Sequence, residues 1–345
     1  MSAAAKPPLE ITCSRHFPAF LAEQQLSLVF TTYQASKVFF IGLNGDRLSL
    51  HERSFTRCMG LAATPETVWL SSGFQIWRLE NCLEAGVQHE GYDRLFVPRV
   101  AYTTGDVDAH DMAIEASGRV VFANTLFSCV ATLSETHSFV PIYKPDFISK
   151  LAAEDRCHLN GLALKDGHLA CVTATATTNA IDAWRDKQKG GGVVISTKDD
   201  AILAENLTMP HSPRYHDGEL YLLESGSGYF GRVDVRRGTF ERLVFCPGYA
   251  RGLAFHGRFA VVALSLGRQN QTLDRFELSK NLEEHGATPR AGLLVIDLTS
   301  GDIVHWLRLE GAVQELFDVA ILPGVRRPMA LGIVSDEIKR VISVG

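Results

Sequence analysis

One short motif recurs six times along the 345 residues, and this repeat limits the possible folds more than any other feature of the chain. Its copies are Cys58-Met-Gly-Leu-Ala62, His110-Asp-Met-Ala-Ile114, Asn160-Gly-Leu-Ala-Leu164, His211-Ser-Pro-Arg-Tyr215, Arg251-Gly-Leu-Ala-Phe255 and Phe317-Asp-Val-Ala-Ile321. Successive copies lie about 40 to 66 residues apart, which is near the period of β-propeller blades. The repeat therefore predicts a ring of similar structural units.

Each unit begins with a β-hairpin. Tight-turn pairs such as Ser117-Gly118 and Asp166-Gly167 follow several copies of the motif and lead into a second apolar run. Third and fourth strand-like runs often follow, so each unit is predicted to be a four-stranded sheet. One such sheet cannot bury both of its faces, whereas a closed ring of sheets can.

The two ends of the chain complete one unit between them. Residues 26–55 contain three strand-like runs but no copy of the motif, and residues 317–322 contain a copy without the three following strands. We therefore predict an all-β fold, a six-bladed β-propeller whose N- and C-terminal strands share one blade. No linker divides the chain, so residues 1–345 are expected to form a single domain.

Two insertions, at residues 173–192 and 266–290, interrupt the repeat. Loops of this length in a compact domain are typical of binding lids or disordered excursions, and we expect lids over the channel. Within the second insertion, residues 279–285 are predicted to be helical.

Composition narrows the class of partner. The formal net charge is −5 and no basic stripe is present, so nucleic acid is not an expected partner. No run approaches the roughly 20 apolar residues that a membrane-spanning helix needs. Seven scattered cysteines without a Cys-x-x-Cys pair indicate reduced thiols, and a cytoplasmic location is expected. The glycine runs match neither a P-loop nor a Rossmann motif.

The innermost strand of each blade lines a propeller's channel, so the repeated motif should carry the chemistry. Side chains alternate along a strand, which predicts two rings of residues facing the axis. The first ring is Met59, His110, Asn160, His211, Arg251 and Phe317, and the second is Arg57, Asp108, His158, Met209, Tyr249 and Glu315.

Three histidines in these rings, His110, His158 and His211, predict a transition-metal site holding Fe, Cu or Zn. Taken singly, each histidine is more often a hydrogen-bonded structural residue than a ligand. His158 lies one strand step from the other two, so convergence requires a shear between blades or a long side-chain reach.

The remaining polar ring residues are candidates for catalysis or substrate binding. Asp108, Tyr249 and Glu315 are the catalytic candidates, although both carboxylates could simply pair with Arg57. Arg57, Asn160 and Arg251 are the substrate-binding candidates, with Arg251 offering a fork for a carboxylate or phosphate. Arg251 could equally satisfy carbonyl groups in the channel wall.

Several longer runs resemble a known family. They are Leu28-Val-Phe-Thr-Thr-Tyr-Gln34, Val107-Asp-Ala-His-Asp111, Cys157-His-Leu-Asn-Gly-Leu-Ala163, the stretch at 209–218 and Leu322-Pro-Gly-Val-Arg-Arg-Pro328. They resemble an uncharacterised bacterial family, a domain of unknown function sometimes joined to tetratricopeptide repeats. The resemblance covers nearly the whole chain and implies a propeller-like fold, but no activity.

Two classes of function follow from these residues. The first is a metal-dependent enzyme acting on a small polar, carboxylate-bearing substrate, with dioxygen-dependent oxidation favoured over metal-assisted hydrolysis such as a lactonase reaction. The second is a non-catalytic propeller that binds a peptide or protein. Metal content distinguishes them.

Overall fold

Short strands joined by tight turns dominate the computed structural model, which describes residues 8–267 and 275–344. In chain order its strands are β1 (Glu10–Cys13), β2 (Leu26–Thr32), β3 (Lys37–Asn44), β4 (Arg47–Ser54), β5 (Leu61–Ala63), β6 (Thr67–Ser72), β7 (Gln75–Asn81), β8 (Arg94–Thr103), β9 (Ala109–Ile114), β10 (Val120–Asn124), β11 (Cys129–Thr132), β12 (Val140–Tyr143), β13 (Leu159–Lys165), β14 (His168–Ala174), β15 (Gly192–Ser196), β16 (Ile202–Leu207), β17 (Pro210–His216), β18 (Glu219–Glu224), β19 (Tyr229–Asp234), β20 (Thr239–Phe245), β21 (Tyr249–His256), β22 (Phe259–Ser265), β23 (Ala291–Asp297), β24 (Asp302–Glu310), β25 (Val319–Pro323) and β26 (Pro328–Ala330). The helices are α1 (Phe17–Glu23), α2 (Glu277–Glu284) and the 3-10 helices Ala183–Lys187 and Asp336–Lys339.

The strands form six sheets, which we number as blades. Blade 1 is β25-β2-β3-β4, blade 2 is β5-β6-β7-β8-β26, blade 3 is β9 to β12, blade 4 is β13 to β16, blade 5 is β17 to β20, and blade 6 is β21-β22-β23-β24-β1. The innermost strands contact one another in a closed circle, β25 to β5, β9, β13, β17, β21 and back to β25. This arrangement confirms the six-bladed β-propeller.

Closure occurs where the sequence predicted it. Strand β25 pairs antiparallel with β2, with Val319 opposite Phe30 and Pro323 opposite Leu26. The C-terminal copy of the motif therefore supplies the innermost strand of the blade that the N-terminal segment begins.

Two further strands, β1 and β26, lie at the outer edges of two blades and were not predicted from the sequence. Strand β1 pairs antiparallel with β24 at the outer edge of blade 6, and β26 pairs in parallel with β8 at the outer edge of blade 2. Both strands are only three or four residues long, so their sequence pattern is too short to recognise. They cover unpaired backbone groups at two blade edges.

The apolar core lies between the blades. Six clusters of buried side chains each join two neighbouring blades, as where Phe30 and Phe39 of blade 1 meet Phe259 and Val261 of blade 6. The rings of Phe30 and Phe39 stack with their centroids 5.0 Å apart. Burial of both sheet faces explains why β2, β10, β22 and β23 are buried at every position.

The six innermost strands alternate between two kinds. Blades 2, 4 and 6 carry the Gly-Leu-Ala form of the motif, and the blades between them carry Asp or Ser at the glycine position. Close packing requires the glycine, since a Cβ on Gly161 would lie 2.6 Å from Pro213 Cδ. Asp111 in turn accepts a hydrogen bond from the backbone N–H of Leu162 at 3.0 Å. The ring is thus built from three pairs of unlike blades.

The helices occupy connections outside the blades. Helix α2 confirms the helix predicted in the second insertion, beginning two residues earlier than expected. No helix in the described ranges is long and apolar enough to cross a membrane.

Candidate functional site

A cavity of about 720 Å³, which we call the mouth cavity, opens at one end of the channel. Residues that flank or begin the innermost strands line it, together with residues from both insertions. Its lining includes Asp108, His110, Asp155, His158, Trp184, Tyr249, Arg251, Glu315 and Phe317. This volume suits a small organic molecule.

Four residues at the start of innermost strands have an unusual backbone conformation. Arg57, Asp108, His158 and Met209 all lie in the left-handed region, with φ between 50° and 53°. Residues other than glycine rarely adopt it, so its recurrence in four blades marks a shared turn that the fold imposes. The turn places Asp108 and His158 just before their strands begin, and both residues line the same cavity as His110.

Hydrogen bonds fix the tautomer of His110. Its Nδ1 lies 2.9 Å from the Asp108 carbonyl oxygen, which can only accept, so Nδ1 carries the proton and Nε2 keeps a lone pair. The Thr125 hydroxyl, also 2.9 Å from Nδ1, donates its own proton to the Leu159 carbonyl. Burial lowers the pKa of His110, while the nearby Asp108 carboxylate raises it by a smaller amount.

His211 repeats this arrangement two blades away. Its Nδ1 donates to the Met209 carbonyl at 2.9 Å and lies 2.8 Å from the Ser225 hydroxyl. Burial and the charge of Arg251 hold the pKa of His211 well below its ordinary value of 6.5. Phe317 occupies the third equivalent position.

His158 is held by groups from its own loop and from the first insertion. Its Nδ1 lies 2.8 Å from Asp155 Oδ2, and its ring stacks on Trp184 with centroids 3.9 Å apart and planes 19° from parallel. Its other ring neighbour is His110, at a centroid distance of 4.9 Å. The two histidines therefore sit side by side in the cavity wall.

Arg251 lies between two aromatic rings. Its guanidinium carbon is 5.1 Å from the centroid of Tyr249 and 4.9 Å from that of Phe317, and its Nη1 pairs with the buried carboxylate of Glu315. Within the part of the chain that the structure describes, Arg251 Nε has no hydrogen-bond partner. The guanidinium is thus held rigidly with donor capacity left over.

Most of the residues predicted from the sequence line the mouth cavity. The structure brings together Asp108, His110, His158, Tyr249, Arg251 and Glu315. It places three predicted residues, Arg57, Asn160 and His211, outside this lining.

These three residues have identifiable roles elsewhere. The Asn160 amide donates to Thr175 Oγ1 at 3.0 Å and to the Pro210 carbonyl at 3.1 Å, which ties blade 4 to blade 5. Arg57 pairs with Asp106 at 2.8 Å and is partly exposed. His211 packs edge-on against Tyr249, at a centroid distance of 5.7 Å.

The metal site predicted at His110, His158 and His211 has no three-ligand cluster in the part of the chain that the structure describes. Across residues 8–267 and 275–344, no group of three or more His, Cys, Asp or Glu side chains is placed to hold a metal ion. His110 and His158 line the cavity, whereas the ring of His211 packs against Tyr249 and is not part of the lining. The anchored Nδ1 atoms do leave each Nε2 as the possible ligand, as is usual for metal-bound histidine.

Both insertions contribute residues to the lining of the mouth cavity. None of these residues was predicted from the sequence. Trp184 and Arg185 come from the first insertion, and Arg275 and Phe276 from the second. Residues 268–274 of the second insertion lie outside the described residues. A lone tryptophan in a polar loop was the available signal for Trp184. Residues of both insertions thus line one cavity, and their action as lids stays a prediction.

A second charged layer, which we call the girdle, consists of Asp111, Arg214 and Asp318. Arg214 forms a two-pronged pair with Asp111, at 2.8 and 2.9 Å, and lies 3.9 Å from Asp318. Asp318 Oδ2 accepts the backbone N–H of Leu61 at 2.9 Å. Burial and the neighbouring Asp111 raise the pKa of Asp318 to about 7.

Solved structures with similar folds include propellers of unrelated sequence. A chain from the nidogen/laminin complex is 10% identical, with a TM-score of 0.52, and the match covers 87% of this chain and 99% of that one. Streptogramin B lyase is 14% identical (TM-score 0.43, covering 69% and 72%), and a luciferin-regenerating enzyme is 12% identical (TM-score 0.47, covering 86% and 91%). At this low identity, the first match shows the fold alone.

Sequence comparison gives a more specific result. The comparison with curated proteins returned no match. The family model described as a domain of unknown function, DUF4915, matches residues 15–331. This match confirms the family resemblance seen in the sequence motifs: the chain belongs to the DUF4915 family.

Proposed function

We propose that this protein is an enzyme that binds a small carboxylate-bearing ester in the mouth cavity and hydrolyses it with His110 as general base. The observation that carries the proposal is the fixed tautomer of His110, whose Nε2 lone pair belongs to a cavity that also contains the rigid cation Arg251. A buried neutral imidazole is the usual general base near neutral pH.

His110 and Asp108 form a catalytic pair in this proposal. Nε2 of His110 takes a proton from the attacking water as its oxygen bonds to the acyl carbon, and returns that proton to the departing alkoxide. The Asp108 carboxylate, 3.6 Å from Nδ1, favours the imidazolium that exists between these two transfers. Removal of such a base typically lowers the rate roughly 10²- to 10⁴-fold.

Arg251 is the proposed anchor for the substrate carboxylate. Charge-assisted, forked hydrogen bonds make arginine the preferred partner of carboxylates. Glu315 acts as a positioning residue because its buried carboxylate orients the guanidinium between Tyr249 and Phe317. Trp184 and Phe276 are proposed to close over the bound molecule as parts of the two lids.

A matched pair of chromogenic esters tests this function. We expect the wild type to hydrolyse the 4-nitrophenyl monoester of adipic acid faster than 4-nitrophenyl hexanoate, because only the former carries a carboxylate. H110Q should lose most of this activity, and R251M/E315Q, which removes both buried charges together, should lose the preference. Hydrolysis no faster than the uncatalysed rate, or an H110Q variant as active as the wild type, would overturn the proposal.

Transition-metal chemistry is the second candidate, namely oxidation of a similar carboxylate with dioxygen as the oxidant. The observation that favours it is the Nδ1 anchoring of the neighbouring His110 and His158, which leaves their Nε2 atoms available to Fe, Cu or Zn. We expect elemental analysis to separate the candidates. An equivalent of metal lost in H110Q and H158Q would support metal chemistry, and full ester hydrolysis after chelation would oppose it.

The proposal extends to cellular context. All seven cysteines are free, five of them buried, which suits a reducing compartment, and we propose a cytoplasmic location and a small-molecule rather than a protein partner.

A further inference from the structure

We propose that the molecule bound in the mouth cavity carries a hydroxyl group in addition to its carboxylate, and that Trp184 and Asp155 recognise this hydroxyl. This inference deepens the proposed function and rests on it. It identifies the ligand class as a hydroxy carboxylate, and Trp184 as a residue that determines specificity.

Trp184 presents a buried donor without an acceptor. Its side chain is only 4% exposed, and its Nε1–H has no hydrogen-bond partner among the described residues. The indole lies between the ring of His158, at 3.9 Å, and the guanidinium of Arg185, at 4.5 Å. A buried N–H without a partner is costly and calls for an explanation, which a bound ligand would supply.

Asp155 presents the complementary atom. Its Oδ2 accepts the hydrogen bond from His158 Nδ1, whereas its buried Oδ1 has no partner in the described ranges. Because Trp184 stacks on His158 and Asp155 bonds to it, the two side chains that carry the unsatisfied donor and acceptor contact the same imidazole.

A hydroxyl group matches this pair of atoms. It can accept a hydrogen bond from Trp184 Nε1–H and donate its own proton to Asp155 Oδ1, which neither a methyl group nor a second carboxylate can do. Arg251 Nε is the other unsatisfied donor of the cavity, and it suits a carboxylate oxygen. His110 lies between the two ends, since its ring contacts those of His158 and Phe317.

Nuclear magnetic resonance on the full chain can test the assignment. The chain contains four tryptophans, and the indole N–H signal missing from W184F identifies Trp184. We expect 6-hydroxyhexanoate to move this signal and to bind roughly 3- to 30-fold more tightly than hexanoate, the effect of one good hydrogen bond. W184F keeps an aromatic ring on His158 but lacks the donor, so its preference for the hydroxy acid should be several-fold smaller than that of the wild type.

The outcomes separate this inference from the function on which it rests. Equal binding of the two acids by the wild type, or a hydroxyl preference as large in W184F as in the wild type, would overturn the role of Trp184 and leave the carboxylate site standing. If neither acid binds, or if R251M/E315Q binds both acids as tightly as the wild type does, the proposed carboxylate site itself is overturned. Far-ultraviolet circular dichroism of each variant confirms that it has folded.

Discussion

The mouth cavity and the girdle both hold buried charges, but they differ in how those charges are satisfied. In the girdle, every carboxylate oxygen of Asp111 and Asp318 accepts a hydrogen bond from the scaffold. In the mouth cavity, Arg251 Nε, Trp184 Nε1 and Asp155 Oδ1 have no partner among the described residues. The scaffold itself satisfies the carboxylates of the girdle, whereas these three atoms of the mouth cavity are left for the proposed ligand to satisfy.

The repeated motif contributes residues to both regions. His110 lines the mouth cavity, whereas the next residue, Asp111, belongs to the girdle and accepts a hydrogen bond from Leu162 of the neighbouring blade. Substitution of His110 therefore tests the proposed function, whereas substitution of Asp111 tests the stability of the fold.

Breaking the girdle should have the largest effect on stability. R214M leaves Asp111 and Asp318 buried without a cation, and loss of one partner from a buried ion pair typically costs about 3–5 kcal/mol. Urea denaturation should show this loss, with partial recovery in D111N/R214M because fewer buried charges remain. A change below about 1 kcal/mol in R214M would contradict the structural role of the girdle.

Glycine substitutions should produce a graded loss at the contacts between innermost strands. The Cβ of G161A would lie 2.6 Å from Pro213 Cδ, whereas the nearest contact in G60A would be 3.1 Å. Overpacking of this kind costs about 1–3 kcal/mol, so G161A should be less stable than G60A. Equal stability of the two variants by thermal unfolding would show that the innermost strands shift apart freely.

The pH dependence of stability should reveal the buried histidine. Burial lowers the pKa of His211 in the folded state, so the unfolded chain binds a proton that the folded chain does not. The contribution of His211 is therefore complete above pH 6.5 and is lost as pH falls below that value. H211Q should lose less free energy of unfolding than the wild type between about pH 7.5 and 5.5. An identical loss in both proteins would contradict this assignment.

The repeat made the fold readable from the sequence. Six motif copies fixed the blade number, and the incomplete unit at residues 26–55 located the closure, because burial between blades demands the same apolar pattern in each. Strands β1 and β26 could not be foreseen, since three or four residues carry no usable periodicity.

Only part of the candidate site could be predicted from the sequence. Strand alternation correctly grouped His110 with Arg251, but it also predicted that Asn160 and His211 would face the same space. Left-handed turns at Asp108 and His158 come just before their strands begin. The residue types at these positions do not predict such turns. Trp184 reaches the cavity through a loop, whose path depends on tertiary packing rather than on local pattern.

The pH profile of ester hydrolysis tests the central claim most directly. If His110 is the base, kcat/KM for the adipate monoester should rise with pH through an apparent pKa below 6.5, because burial lowers the pKa of His110 and only the neutral ring accepts a proton. D108N should move this limb to lower pH, since the Asp108 carboxylate raises the pKa. A rising limb centred above 6.5, or one that persists unchanged in H110Q, would contradict the account.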